Sequence, residues 1–340
     1  MYLRNAWYVA TFGDELTDAL LARTFLDQPV VLYRTASGTP AALVDRCCHR
    51  SLPLSMGKRV GDDVQCGYHG LVFDAAGRCI QVPGQTTVPP GAQVRAFPVV
   101  ERHGFVWIWP GDPARADAAT IPDIAWNADP GWVTVGERWH LKCNYELVTD
   151  IQLDATHATY VHPGTLGSNA IQDTPPKVER DGGTVRIERW ILDQPPPPIW
   201  AQAGGFNGNV DRWILSQFVP PSGCFFDIGA AVAGTGAPQG DRRRGITMRT
   251  AHLTTPETAT TTHYFWRFGR DYKRDDDALG AQVHASIRRT FEEDVAVVEA
   301  QQRALGARRN PARIDVNADK PTIQARRLLA GLIAAEQGAA

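Results

Sequence analysis

Cys47-Cys48-His49 and Cys66-Gly67-Tyr68-His69 are the two short stretches from which this chain is best read. Taken as C-x-H followed by C-x-x-H, they offer two thiolates and two imidazoles from two loops. That donor set suits a [2Fe–2S] cluster in which Cys47 and Cys66 hold one iron while His49 and His69 hold the other. Replacing two thiolates by neutral histidines raises the potential above that of an all-cysteine cluster. The turn-forming and small residues around each half, Arg50-Ser51-Leu52-Pro53 with Gly67 and Gly70, let two loop tips close and aim N–H groups at the sulfurs. Two other readings compete. A structural zinc takes Cys2His2, but zinc fingers usually present C-x-x-C with a later histidine pair rather than one of each per loop. A disulfide between Cys47 and Cys66 would leave the matched histidines unexplained.

The 340 residues are long for one core and comfortable for two. A hydrophobic content of 43% and a charged content of 21% describe an ordinary globular protein. A formal net charge of -2 gives no electrostatic reason to expect nucleic acid or an anionic membrane as partner. Six cysteines, of which only Cys47, Cys48 and Cys66 crowd one site, suggest a reducing compartment rather than a disulfide-built secreted domain. The N-terminal residues show no basic region leading into a long apolar run, and no apolar stretch approaches the ~20 residues of a membrane span. The expected location is the cytoplasm.

Residues 1–115 read as short strands and turns: Val30–Tyr33 and Ala41–Val44 flank a Ser37-Gly38 turn, and Phe105–Trp109 ends at Pro110-Gly111-Asp112-Pro113, a domain edge. Residues 116–340 form the second domain. Strands are expected over 185–192, 213–219, 224–232, 246–254 and 261–268, rich in β-branched and aromatic residues. Helices are expected over 144–161 and 276–305, with a final piece, 323–337, on the outside. Arg242-Arg243-Arg244 reads as a solvated loop. Strands plus long helices make the fold class α+β.

The run Asp150-Ile151-Gln152-Leu153-Asp154-Ala155-Thr156-His157-Ala158-Thr159-Tyr160-Val161-His162 carries the second set of chemically loaded residues. Asp154 and His157, three apart, are expected to share a helix face. His162 precedes Pro163, which pushes it out of the α region and lets it swing toward His157. Two converging histidines with room for a carboxylate suit a 2-His-1-carboxylate iron(II) site with open positions for dioxygen. The plainer reading is a pair of histidines hydrogen-bonded to Asp150 and Asp154. Among Glu292, Glu293 and Asp294, helical phase puts Asp294 in the apolar stripe of Val283, Ile287, Phe291 and Val298. A carboxylate there is costly unless paired or bound to metal. Asp294 is the expected third ligand by that argument, and Glu292 and Glu293 are expected to be solvated.

Together these two sites resemble the oxygenase components of the Rieske non-haem iron oxygenases. The likeness runs from Asn5-Ala6-Trp7-Tyr8 through both ligand pairs, Trp107-Ile108-Trp109-Pro110 and the Asp154/His157/His162 run to Thr255-Pro256-Glu257 and Glu293-Asp294. It is nearest to the short members typified by vanillate O-demethylase, toluenesulfonate methyl-monooxygenase and dicamba O-demethylase oxygenase subunits. The resemblance implies an N-terminal all-β Rieske [2Fe-2S] domain and a helix-grip-like antiparallel sheet domain holding one mononuclear Fe(II) per subunit. It further implies a head-to-tail homotrimer in which Asp154 bridges a neighbour's His69 and this subunit's His157. A separate NAD(P)H-dependent flavin/iron-sulfur reductase would supply the electrons. His252, matched by a histidine in the dicamba type, becomes a candidate for a substrate carboxylate. Two departures stand out. Ile151 replaces a usual asparagine, removing an amide near the iron, and Cys48 replaces a frequent proline.

The expected reaction uses O2 to hydroxylate a C–H bond of a small aromatic substrate. On an aryl methyl ether the product collapses to a phenol and formaldehyde; on an aryl methyl group it is a benzylic alcohol. Trp200, Phe206, Trp213, Phe226 and Phe265 are candidates for an aromatic slot. The rival readings are a ring dihydroxylase, a Rieske electron carrier without catalysis, and a metal-binding scaffold.

Overall fold

The computed structural model describes residues 1–167, 169–306 and 314–338. The chain divides into two compact units, residues 1–121 with 255–259, and residues 122–254 with 260–340.

The first unit is built of short strands and 3-10 turns in three small sheets. The Gln28–Arg34 and Pro40–Val44 strands pair antiparallel from Val30↔Val44 to Arg34↔Pro40, closed at the Ser37-Gly38 turn as the sequence predicts. The four-stranded sheet of Lys58–Val60, Asp63–Gln65, Val72–Phe73 and Cys79–Gln81 packs against this hairpin through Tyr33, Leu43, Leu54, Val64 and Phe73. The Thr255-Pro256-Glu257 segment also belongs to this unit. Thr255 Oγ1 donates to Val9 O at 2.6 Å, and the amides of Leu26 and Asp27 donate to Pro256 O and Glu257 O.

The second unit is organised by a seven-stranded antiparallel sheet. Its order is Val133–Leu141, Thr262–Arg270, Gly245–Pro256, Gly223–Val232, Val210–Val219, Thr184–Gln194, Lys177–Asp181. All five predicted strands are present. The two missed are the edges, where half-buried or exposed side chains leave no strong apolar pattern. Alternation along each strand sends Ile187, Arg189 and Ile191, Arg212 and Ile214, Phe226 and Ile228, and Met248, Thr250 and His252 to one face. The helices Tyr145–Leu153, Pro198–Gly204 and Asp277–Leu305 contribute to the core that this face buries. The longest is capped by Asp276, whose carboxylate accepts from Leu279 N at 2.8 Å. Its buried residues Leu279, Val283, Ile287, Phe291, Asp294 and Val298 repeat every three or four positions.

Three expectations need correction. The helix over 144–161 is not continuous: it ends at Leu153, and Asp154 takes φ -101°, ψ 93°. Its carboxylate instead caps a new 3-10 turn by accepting from Thr156 N at 2.9 Å. This is the side chain competing with the helix for the backbone. Asp154 and His157 therefore do not share a helix face. The C-terminal helix Lys320–Gly338 is not merely external, because Ala325 and Leu328 join Leu153, Val185, Ile187, Phe218 and Cys224 in one buried cluster. In the Arg242-Arg243-Arg244 loop, Arg243 and Arg244 are exposed as expected, but Arg242 is only partly so: it lies 4.3 Å over the Trp213 ring and donates to both oxygens of Asp227 at 3.0 Å. Among the described residues no helix is long and apolar enough to cross a membrane.

Arg326 ties the C-terminal helix to the rest of the unit. Its Nε and Nη2 donate to Asp150 at 2.8 and 2.5 Å, and Nη1 donates to Glu146 at 3.0 Å. Burial works against its charge, but Asp150 and Glu146 outweigh this and raise its pKa. Arg326→Leu takes the guanidinium away from two carboxylates on one helix and is expected to cost roughly 2–3 kcal/mol in urea unfolding, below the full cost of breaking a buried pair. A change under about 0.5 kcal/mol would class the contact with ordinary surface pairs.

Candidate metal centres

The two loops of the first unit are built alike. Cys47 N donates to Leu52 O and Ser51 N to Cys47 O; Cys66 N donates to Leu71 O and Gly70 N to Cys66 O. In both, the fourth residue after the cysteine has positive φ, 60° at Ser51 and 73° at Gly70. That reversal turns each loop back on itself. Gly67 is required by proximity, since a Cβ there would stand 2.7 Å from Met56 O. The Cys47 and Cys66 thiols are buried and in contact, and burial, with Cys66 alongside, pushes the Cys47 thiol up to about 11. Two buried thiols are poor company unless a cation draws off their protons. The His49 and His69 rings meet edge to face at 4.5 Å between centroids. Two thiols form one pair and two imidazoles another, the division that a [2Fe–2S] pair with unlike irons requires.

In the second unit His157, His162 and Asp294 bring one ligand atom each within 4.8 Å of the others. The atoms are His157 Nε2, His162 Nε2 and Asp294 Oδ1, with separations of 3.2 Å between the nitrogens and 3.2 and 2.9 Å to the oxygen. With metal–ligand bonds of about 2.1–2.2 Å, cis positions of an octahedron lie about 3.0 Å apart and tetrahedral positions about 3.5 Å. The triangle fits three positions on one face of an octahedron, the facial triad of non-haem iron(II) sites.

Each of the two histidines is held from behind. His157 Nδ1 is engaged by the main-chain carbonyl of Asp154, not by its carboxylate, which leaves Nε2 for a metal. His162, at φ -118° before Pro163, turns inward as the proline predicts. Its Nδ1 lies 2.7 Å from Glu293 Oε2. Glu293 was expected to be solvated; it curls from the flank of its helix onto the back of His162. Glu292 does face water and pairs with Arg288 at 3.0 Å. Burial works against the Asp294 carboxylate, but hydrogen bonds from His157 and His162 outweigh it and hold the group below its ordinary pKa. Burial likewise opposes a charge on His162, while Asp294 and Glu293 raise its pKa.

The triad opens on a cavity of about 120 Å³. Trp200, Ile214, Phe226, Ile228, Met248 and Phe291 supply apolar wall; Gln152, Arg212, Thr250 and His252 supply polar groups. Of the five predicted aromatics only Trp200 and Phe226 line it. Trp213 packs instead with Ala231 and Ala237, beside Trp190. His252 is buried, with Nδ1 2.6 Å from Tyr264 Oη and Nε2 3.1 Å from Thr250 Oγ1. Burial pushes its pKa down to about 3, so the ring is neutral. Ile151 packs on the core, whereas the next residue, Gln152, brings an amide into the cavity with Nε2 3.5 Å from Asp294 Oδ2. Sequence reasoning missed Glu293, Gln152 and Arg212. Arg212 had a signal: it holds an inward position between Val210 and Ile214.

Residues 6–98 match the Rieske [2Fe-2S] domain, and residues 141–335 match the vanillate O-demethylase oxygenase C-terminal domain. The chain is 42% identical to a putative toluene-4-sulfonate monooxygenase system iron-sulfur subunit of Comamonas testosteroni, over 99% of both chains. It is 35% identical to a vanillate O-demethylase oxygenase subunit of Pseudomonas sp. (strain HR199 / DSM 7063), over 100% of this chain and 97% of that one. Among solved structures, dicamba monooxygenase bound to 3,6-dichlorosalicylic acid superposes with a TM-score of 0.92 at 36% identity, over 99% of each chain.

Support behind a metal-bound histidine is worth about 10–100-fold in metal affinity. Glu293→Gln is therefore expected to weaken retention of mononuclear iron by that factor in chelator competition. Glu292→Gln should leave it unchanged, and both should keep the visible absorption of the cluster. Equal retention in the two variants would remove Glu293 from the site.

Proposed function

The chain belongs to the Rieske non-haem iron oxygenases with a vanillate O-demethylase-type catalytic domain, and from that premise we propose that it O-demethylates a methoxylated aromatic acid, releasing formaldehyde. It is an oxygenase component whose cofactors are a [2Fe–2S] cluster and a mononuclear iron. The observation that carries the reading is the triad facing a mostly apolar cavity of ring-like size, close to the ~150 Å³ that takes up benzene in another protein.

In this reading residues 1–115 form the Rieske domain and 116–340 the catalytic domain. Cys47 and Cys66 hold one iron of the cluster, and His49 and His69 hold the other. His157, His162 and Asp294 hold the mononuclear iron. When bound, these groups supply reductive activation of dioxygen, with electrons arriving singly from a separate NAD(P)H-dependent flavin/iron-sulfur reductase. The residues of the chain do the placing. Exposed Tyr68 and His69 present the cluster edge, and a homotrimer would set the neighbouring subunit's His69 against Asp154. Asp154 is suited to relay because its carbonyl already holds His157. The apolar wall excludes water, Gln152 steadies Asp294, and neutral His252 meets the substrate as a hydrogen-bonding partner. In balance, an aryl methyl ether, O2, two electrons and two protons give a phenol, formaldehyde and water.

A second reading, hydroxylation of an aryl methyl group, is favoured by the 42% identity to a toluene-4-sulfonate monooxygenase subunit. The two are separated by supplying the loaded protein with a reductase, NADH and air, and a panel of vanillate, 4-methoxybenzoate, toluene-4-sulfonate and 4-toluate. Formaldehyde and a phenol in equal amounts are expected. A benzylic alcohol without formaldehyde would move the assignment to methyl hydroxylation. Asp154→Asn keeps a capping oxygen and is expected to retain both metals while turnover falls at least about tenfold. Unchanged turnover would take Asp154 out of the electron path.

A further inference from the structure

A site that activates oxygen endangers the protein around it. With no substrate C–H bond in reach, the oxidant still draws electrons, and the nearest side chains are the ones to supply them. Met248 lines the cavity and is 1% exposed, so its thioether is a soft target, and a sulfoxide there would put a polar group into an apolar wall.

A series of oxidisable rings leads away from this cavity. His252 and Phe291, both lining residues, meet edge to face at 4.8 Å between centroids. Tyr264 lies parallel to His252, with its Oη 2.6 Å from Nδ1, and Trp266 lies against Phe291 at 5.2 Å. Trp139, opposite Tyr264 on the adjoining strand, meets both rings, at 6.0 Å from Tyr264 and 5.7 Å from Trp266. Tyr264 and Trp266 are fully buried, whereas Trp139 is partly exposed. Its Nε1 donates to Glu137 Oε2 at 2.7 Å, and Glu137 Oε1 lies 3.1 Å from His284 Nε2 and 3.8 Å from the exposed Arg288. The series starts at the cavity wall and ends at solvent.

Packing explains the rings but not where their protons are held. A phenol or indole that loses an electron becomes a strong acid, and it passes the charge on cleanly only if a neighbour takes its proton. Tyr264 has such a neighbour in His252, and Trp139 has one in Glu137. Burial by itself would ask for a partner on Trp266 too, yet its Nε1 is buried without one. The two partnered rings are the two that connect the cavity to the surface. Burial, with the nearby charge of Asp294, pushes the Tyr264 pKa well up, so the phenol holds its proton until an electron leaves.

We propose that Tyr264 and Trp139 form an electron-supply line that disarms the iron site when oxygen chemistry proceeds there without substrate. Hydrogen peroxide is the simplest such oxidant. Its conversion to two waters takes two protons and two electrons, one electron from the ferrous ion and one from Tyr264. The Tyr264 proton moves to His252 Nδ1. Trp139 then gives an electron to Tyr264, which recovers its proton from His252, while the Trp139 indole proton passes to Glu137. A small reductant in solution, such as ascorbate, returns an electron to Trp139, and Glu137 returns the proton. The line serves the iron site whichever aromatic is oxidised there, and so goes beyond the demethylation proposed above.

The test treats the iron-loaded, substrate-free protein with hydrogen peroxide, beside an iron-free control, and follows it by freeze-quench electron paramagnetic resonance and peptide mass spectrometry. An organic radical is expected whose hyperfine pattern changes when the protein carries deuterated tryptophan, and it should be missing from Trp139→Phe. At equal peroxide, Met248 sulfoxide in Trp139→Phe should exceed that of the unaltered protein by at least about threefold, while Trp139→Tyr, oxidisable again, should stay close to it. Trp190 supplies the comparison: its Nε1 makes the same contact, 2.7 Å from Glu188 Oε1, but it packs on the other face of the sheet with Trp213. Trp190→Phe should leave both readings unchanged. Unaltered radical and sulfoxide in Trp139→Phe overturn the proposal. So does an equal rise in sulfoxide in Trp190→Phe, which would make tryptophan a general scavenger. The first reading stands without any variant: absence of a tryptophan radical in the unaltered, iron-loaded protein also overturns it.

Discussion

The mononuclear centre depends on a carboxylate kept ionised where water scarcely reaches. Asp294 is 6% exposed, and burial alone would favour its neutral form. Two imidazoles within 3.2 Å of one oxygen reverse the balance, and a divalent cation would reverse it further. The surroundings serve to keep those atoms converged. The buried stripe of the long helix fixes the phase of Asp294. The break at Asp154 places its carbonyl behind His157, and Pro163 turns His162 inward. Consecutive residues of one helix then grip both nitrogens of His162, with Glu293 at Nδ1 and Asp294 at Nε2.

The two metal centres are ordered on different scales, and this governs how much of each was legible in the sequence. The cluster loops are local devices. In each the cysteine and histidine are three or fewer residues apart, and the same two backbone hydrogen bonds recur in both. Residue types and spacing therefore exposed them directly. The triad joins residues more than 130 positions apart. Asp294 was still readable, because a charge in phase with Val283, Ile287, Phe291 and Val298 has to be compensated. Glu293 was not, since phase gives the direction of a Cα–Cβ bond and not how far a flexible side chain reaches around its helix. The break at Asp154 was hidden for a related reason. No glycine or proline marks it, and an aspartate that stops one helix by capping the next turn has the same composition as one within a helix. The edge strands were missed because an exposed edge needs no apolar alternation. The central strands, buried on one face, have to show it.

The cavity is selective through its polar groups more than through its size. A ring gains dispersion and burial against Trp200, Phe226 and Ile228 whatever substituents it carries. Gln152, Thr250 and His252 stand among those walls, and a polar group left there without a partner costs more than an apolar contact returns. His252 is held at both ring nitrogens, by Tyr264 and Thr250, and burial keeps it neutral, so its ring is set before anything enters. A site whose polar groups are positioned in advance discriminates against a ring that cannot meet them.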